Sequence, residues 1–418
     1  MLKVLFVQGG LPAYFKFILN RLNEVGGLEV IEIIPSGKGS TLGAGVQVDT
    51  KGASFKIVEL EEYKAWYGKS FFRNFEQTVY DTGAQVVLLG WPYMMFFAFN
   101  PLLVRRLKRR GIKIIHRDIP FNTPAFGKTV SYYRQNLNRQ EGMAAPRNSF
   151  LGLLTFMLLT RVRKIYLKLA DAHIYYTDDS RQIIGSYGVA PEKIFVSANS
   201  PDTDMLLGTY DRIKDAEKLL PENPFRLIHV GRLVKWKRVD LILEAMVSLK
   251  KDFPRLELII AGFGPEEEAL KLQAQELGLK GAVKFLGGIY EPALLGRYLN
   301  ESAIYVLAGM GGLSINDAMC FGKPVICSEA DGTEKRLVRD DFNGYYFNNG
   351  DAADLAAKLS KLLADPAKTA QFGQRSLEII RLEVNIHTVI SEYVSAFSYV
   401  TNGAYKLTKN ESSGNPIS

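Results

Sequence analysis

Stretches of apolar residues at strand spacing alternate with helix-period stretches through the whole chain, and the alternation restarts half-way along. In the first half Lys3 to Val7, Leu28 to Ile34, Phe55 to Leu60, Gln85 to Leu89, Ile112 to His116, Ala172 to Tyr176 and Lys193 to Ser197 read as strands, with helices between them. A polar, turn-rich segment from Asn199 to Pro224 follows. Strands then recur at Arg226 to Val230, Leu256 to Ala261, Val283 to Leu286, Ala303 to Leu307 and Pro324 to Ser328, with helices near 239–250, 265–278, 292–300, 314–321 and 352–364. Near-continuous apolar strands separated by helices are buried by a parallel sheet covered on both faces. The expected fold is therefore α/β: two doubly wound, Rossmann-like domains at 1–205 and 223–368, joined by a linker at 206–222. A helical stretch at 369–400 is expected to pack back on the first domain, and a polar tail at 401–418 to be disordered. Open sheets of this kind bind ligands at the carboxyl ends of their strands, which puts the expected active site in a cleft between the domains.

Composition narrows the class. Among 418 residues, 47% are hydrophobic and 23% charged, too apolar for a disordered chain. No run of about 18 apolar residues suggests a membrane-spanning helix. Only two cysteines occur, Cys320 and Cys327, with no partner at metal-ligand spacing, and the first residues enter a strand without a signal-peptide pattern. The expectation is a cytoplasmic protein.

The net charge of +8 is unevenly placed: residues 101–170 hold fifteen Lys/Arg and two acids, so the rest of the chain is net negative. Arg105, Arg106, Arg109 and Arg110 follow the apolar run Trp91 to Phe97, and Arg161, Arg163, Lys164 and Lys168 follow Phe150 to Leu159. A basic rim beside an apolar face suits a helix lying on an anionic membrane, and equally a core helix with a solvated face. No nucleic-acid-binding motif accompanies the charge, so nucleic acid is not an expected partner. The glycine-rich stretch Gly37 to Gly45 lacks the order of a phosphate loop and reads as a mobile loop.

The residues that suggest chemistry begin at His229-Val230-Gly231-Arg232-Leu233 and continue to Lys237. A strand ending in Gly231 lets a ligand approach the backbone, and Arg232 and Lys237 in the following loop suit a diphosphate, one as a fork and one as a point charge. Gly311-Gly312-Leu313-Ser314 then opens a helix whose first amides can receive a phosphate or hydroxyl, with Asp317 near the end of its first turn. In order, G-R-L-x-x-x-K from Gly231, Gly262-Phe263-Gly264-Pro265-Glu266, Val283 to Gly287, Gly311 to Ile326, Asn343-Gly344 and Gly350-Asp351 resemble the donor-binding motifs of retaining glycosyltransferases of family 4 (glycosyl transferases group 1), which have GT-B architecture.

The resemblance implies transfer of a hexose from a nucleotide diphosphate sugar, UDP- or GDP-linked, with retention, without a metal and without a further cofactor. Arg232 and Lys237 are implied to stabilise the departing diphosphate together with amides of Gly311, Gly312, Leu313 and Ser314. Asp317 stands where the family has a glutamate on the ribose. His116, at the end of Lys113 to His116, resembles a histidine that touches the sugar near the reacting carbon; the same residue also reads as a buried structural histidine. Gly9 and Gly10, after the first strand, would let the backbone approach the donor from the other domain. One departure stands out: the family's first glutamate falls on Gly309. Either backbone groups of the Gly309 to Gly312 loop recognise the sugar, or transfer activity is lost and the chain is a non-catalytic glycan-binding or partner subunit. A sugar-nucleotide epimerase shares the architecture and is the other alternative. A glycan or lipid-linked acceptor used in cell-surface polysaccharide synthesis fits the basic face, at the inner side of a membrane.

Overall fold

The computed structural model describes residues 1–37, 49–119, 123–136, 150–330 and 332–408. The glycine-rich stretch read as a loop lies outside them apart from Gly37. Two units account for the described chain: 198–386 form one, and the residues before and after that span form the other.

The first unit is built on a seven-stranded parallel sheet in the order β3-β2-β1-β6-β7-β8-β9. Its strands are β1 (Leu2–Val7), β2 (Leu28–Pro35), β3 (Lys56–Leu60), β6 (Val86–Leu89), β7 (Lys113–Asp118), β8 (Ala172–Tyr175) and β9 (Ile194–Val196). Central strands such as Val86–Leu89 are buried along their whole length, as a sheet covered on both faces requires. An antiparallel hairpin, β4 (Glu62–Lys64) and β5 (Ser70–Phe72), follows β3 and has no counterpart in the sequence reading.

The second unit holds a six-stranded parallel sheet, β12-β11-β10-β13-β14-β15. It comprises β10 (Arg226–Val230), β11 (Glu257–Ala261), β12 (Val283–Gly287), β13 (Ile304–Leu307), β14 (Val325–Ser328) and β15 (Gly344–Phe347). The first five lie where the apolar runs predict them; β15 was not anticipated.

Several expectations need correction. The segment read as a linker carries a helix, Thr203–Ile213, started by the Asp202 side chain, which accepts the Met205 N–H. The stretch read as one terminal helix is two, Pro366–Leu382 and Ile386–Val400, because Asn385 turns its side-chain amide onto the Ile380 and Arg381 carbonyls and ends the first. Only the second belongs to the first unit, where Tyr393 and Phe397 pack on Phe6. The beginning of the tail is ordered: Thr408 exchanges two backbone hydrogen bonds with Gly26, of 2.9 and 3.1 Å. The remainder, from 409, lies outside the described residues. Finally, the Trp91 to Phe97 run is core and not an apolar surface: Tyr93, Met94, Met95 and Phe97 are all buried, and only Trp91 is exposed.

Candidate active site

β10 ends at Val230 and the chain turns at Gly231, whose φ of 151° favours glycine. A second turn, at the end of β11, seats it. The Gly231 N–H donates to the Ala261 carbonyl (3.0 Å), the Leu233 N–H to Phe263 (2.9 Å) and the Glu266 N–H to Leu233 (3.1 Å). The approach is too close for side chains: a Cβ on Gly262 would stand 2.9 Å from the Gly231 carbonyl carbon, and one on Gly264 2.7 Å from that of Leu233. The two glycine turns are thus one packed feature at the carboxyl edge of the sheet.

Arg232 and Lys237 project from this feature. Arg232 is half-buried, and among the described residues no carboxylate or carbonyl pairs with its guanidinium. The Lys237 ammonium donates to the Gly311 carbonyl at 2.6 Å, and the Met310 N–H donates to the Trp236 carbonyl at 2.9 Å. These two bonds close the loop after β10 onto the loop after β13. Of the neighbouring cations, Lys235 is exposed and Arg238 is held by Asp240 at 2.9–3.1 Å.

Gly309 lies in this closure. A Cβ there would meet the Lys237 carbonyl carbon at 2.7 Å and its oxygen at 2.9 Å, and the Trp236 carbonyl oxygen closer still. Position 309 therefore has no room for the family's glutamate in this conformation. Gly312, with φ 156°, places its backbone within reach of Lys237: a Cβ on it would be 3.2 Å from the ammonium nitrogen.

The helix Ser314–Cys320 starts behind Leu313 and is only seven residues long, so its end supplies a small field beside two full positive charges. The Ser314 hydroxyl accepts a hydrogen bond from Tyr305 at 2.7 Å. Asp317, in the first turn, is half-buried and its carboxylate has no hydrogen-bond or ion-pair partner among the described residues; burial pushes its pKa up to about 7. Beneath the loop His229 is fully buried. Its Nδ1 lies 3.0 Å from the Val306 carbonyl oxygen, and burial lowers its pKa to about 4, so it stays neutral and structural. Thus Gly231, Arg232, Lys237, Gly311, Gly312, Leu313, Ser314 and Asp317 converge on one edge of the second unit.

The remaining candidates stand in the first unit. Gly9 and Gly10 follow β1, with Gly10 at φ 147°. His116 does not reach the surface. It is 2% exposed, its Nδ1 lies 2.9 Å from the Tyr175 hydroxyl, and burial with the nearby His173 and Arg163 holds its pKa well below the usual histidine range. The strand continues two residues past it, so the group at the carboxyl end of β7 is Asp118, which burial pushes up to about 6. The sequence reading also missed a cavity of about 740 Å³ beyond the carboxyl ends of β2, β3 and β6. Trp91, Tyr63, Glu61, Glu62 and Lys69 line it, and the Lys69 ammonium lies 5.3 Å from the Trp91 ring centre. The sequence carries no local signal for it, because Glu61 and Glu62 lie about thirty residues before Trp91.

Residues 211–378 match the family model described as glycosyl transferases group 1. This stretch is a group 1 glycosyltransferase domain. It contains every residue of the Arg232–Asp317 cluster. An uncharacterised glycosyltransferase of Methanocaldococcus jannaschii is 30% identical over 202 residues, covering 47% of this chain and 50% of that protein. The poly(ribitol-phosphate) alpha-N-acetylglucosaminyltransferase of Staphylococcus aureus is 20% identical over 350 residues, 83% of this chain and 62% of that one. The chain thus spans about half to three-fifths of the length of these curated relatives. Among solved structures, Anabaena HepE in complex with UDP superposes with a TM-score of 0.67 at 17% identity, covering 95% of this chain and all of that one. The group 1 domain and its partner unit therefore have the GT-B fold expected from the sequence.

Proposed function

We propose that the protein is a retaining glycosyltransferase that moves a hexose from a UDP- or GDP-linked sugar to a glycan or lipid-linked acceptor in cell-surface polysaccharide synthesis. The observation that carries the reading is the convergence of Arg232 and Lys237 at the end of β10 with the Gly311 to Ser314 backbone and Asp317. In the reaction the bond between the anomeric carbon and the diphosphate oxygen breaks, and its electron pair leaves with the diphosphate. An acceptor hydroxyl bonds to the same face of that carbon and passes its proton to a diphosphate oxygen. Arg232 and Lys237 hold the charge that builds on the leaving group, with no metal required in this role. Asp317, once ionised, accepts both hydroxyls of the ribose. With no side chain at 309, backbone groups of the Gly309 to Gly312 loop meet the sugar.

Two features support this reading besides the cluster. The solved structure of Anabaena HepE holds UDP. The glycine at 309 also has a packing cause in this chain, so it does not by itself argue for a non-catalytic subunit. For the acceptor, the cavity beside Trp91 offers an aromatic face for the apolar side of a sugar ring and carboxylates for its hydroxyls. The test is incubation with a panel of UDP- and GDP-sugars with and without glycan acceptors, following free nucleotide diphosphate and the anomeric configuration of the product. Acceptor-dependent release with retention supports the proposal. Inversion, or a changed sugar still attached to its nucleotide as an epimerase would leave it, overturns it.

A further inference from the structure

We propose that the Phe150–Leu169 helix of the first unit is an in-plane docking surface for an anionic lipid bilayer. The twenty-residue helix contains no aspartate or glutamate. One side belongs to the core: Thr160, Val162, Tyr166 and Leu167 are buried, and Phe156 stacks 6.1 Å from Tyr132. The opposite side is Leu151, Leu154, Leu158, Arg161, Ile165 and Lys168, spaced three or four apart and all exposed. Leu151 is 71% and Leu158 60% exposed, and Phe150 at the helix start is 83% exposed. Single exposed leucines are ordinary, whereas an aliphatic stripe along the solvent side of a packed helix reverses the usual amphipathic pattern.

Charge chooses the occupant. Arg161 and Lys168 belong to the exposed stripe itself. The neighbouring helix Pro101–Arg109 also lacks acids, exposes Arg105 and Arg109, and is tied to the end of the first by Lys108 on Asp171 at 3.0 Å. The rest of the basic cluster is engaged: Arg106 is bidentate on Glu76 at 2.7 Å, and the Arg110 guanidinium lies 3.6 Å from the centre of the Tyr80 ring. The apolar stripe, and not the arginine run, therefore carries the proposal. Aliphatic side chains entering the boundary between headgroups and acyl chains, with cations at the phosphate level, is the arrangement of an interfacial helix. Among the described residues no helix is long and apolar enough to cross a bilayer, so this one lies in the plane.

The proposal stands on this surface alone and not on the glycosyl-transfer reading. Co-sedimentation of the full chain with phosphatidylcholine vesicles, with and without phosphatidylglycerol, tests it at low salt and at about 1 M, where the Debye length shrinks to about 3 Å. Binding to the anionic vesicles at low salt is expected. Leu154→Ser with Leu158→Ser should weaken it about tenfold or more, Arg161→Ser with Lys168→Ser should reduce its salt dependence, and Lys251→Ser with Lys280→Ser, the same charge change elsewhere, should leave it intact. A Leu154→Cys variant carrying an environment-sensitive fluorophore gives a second readout, because Cys320 and Cys327 are buried and escape labelling. Its emission should shift to the blue only with anionic vesicles. No binding by the parent chain, equal loss in the control, or a label that responds to self-association and not to vesicles would overturn the proposal.

Discussion

Replacing Gly309 with alanine adds one methyl group where the backbone of Trp236 and Lys237 already lies. The new Cβ would sit 2.7 Å from the Lys237 carbonyl carbon, at least 0.7 Å short of the 3.4 Å where ordinary contact begins. The obstacle is backbone, so no rotamer relieves it, and overpacking of this kind costs about 1–3 kcal/mol. Two responses are open. If the loop after β13 retreats, the Met310-to-Trp236 hydrogen bond is lost; if the turn after β10 retreats, Lys237 moves with it. Either way the ammonium leaves the Gly311 carbonyl. A charge-assisted contact is worth about 1.5–3 kcal/mol, so nucleotide diphosphate affinity should fall roughly 10- to 100-fold. Titration calorimetry with UDP and GDP measures this, with thermal unfolding as the companion readout. Gly309→Glu, the residue the family resemblance would restore, should be worse and not better. Unchanged melting and affinity in Gly309→Ala would show that the two loops are not held together as described.

Arg232→Ala and Lys237→Ala should each lower transfer by about 10²-fold, and the double variant by less than the product of the two, because both act on one diphosphate; steady-state kinetics of the three proteins decide it. Asp317 has a pKa near 7 in the folded chain against an ordinary value of 3.8, so its stabilising contribution is complete below about pH 4 and is lost as pH rises through 7. Asp317→Asn should therefore melt higher than the parent at pH 8 and not at pH 4, while the rise in donor affinity expected between pH 6 and 8 disappears; a parent affinity flat across that range would refute the ribose role. Trp91→Ala should raise the Michaelis constant for a glycan acceptor several-fold and leave that for the donor unchanged, and the reverse pattern would remove the cavity from the acceptor side.

The candidate site on the second unit was legible because its signals are local. Gly231 turns at a positive φ and Gly262 and Gly264 have no room for a side chain, and Arg232 and Lys237 follow Gly231 within a few residues, so spacing alone places these cations at the end of β10. What the sequence hid depends on depth and on distant partners. The strand holding His116 was readable, but its burial follows from Tyr175 and Tyr166 on elements some fifty residues away. Trp91 to Phe97 and Phe150 to Leu159 look alike as strings, yet one is core and the other presents leucines to solvent. An apolar run does not reveal how many of its faces are covered. The loss of Arg106 and Arg110 to Glu76 and Tyr80 was equally invisible. The Glu62–Lys64 and Ser70–Phe72 hairpin is too short and too polar to register as strands, although it shapes the cavity beside Trp91.

The chain enters the second unit after residue 197 and leaves it after 386, and the two crossings lie side by side: the Ile386 N–H donates to the Thr203 hydroxyl at 3.0 Å. The second unit is therefore an insertion with adjacent ends and not the latter half of a tandem. Residues 198–386 are therefore the span to excise if the second unit is to be produced separately. The last helix, which supplies Tyr393 and Phe397 to the core around Phe6, must stay with the first piece. A cut at the apparent midpoint of the sequence would strip that core, whereas a double cut at 197 and 386 follows the boundaries of both units.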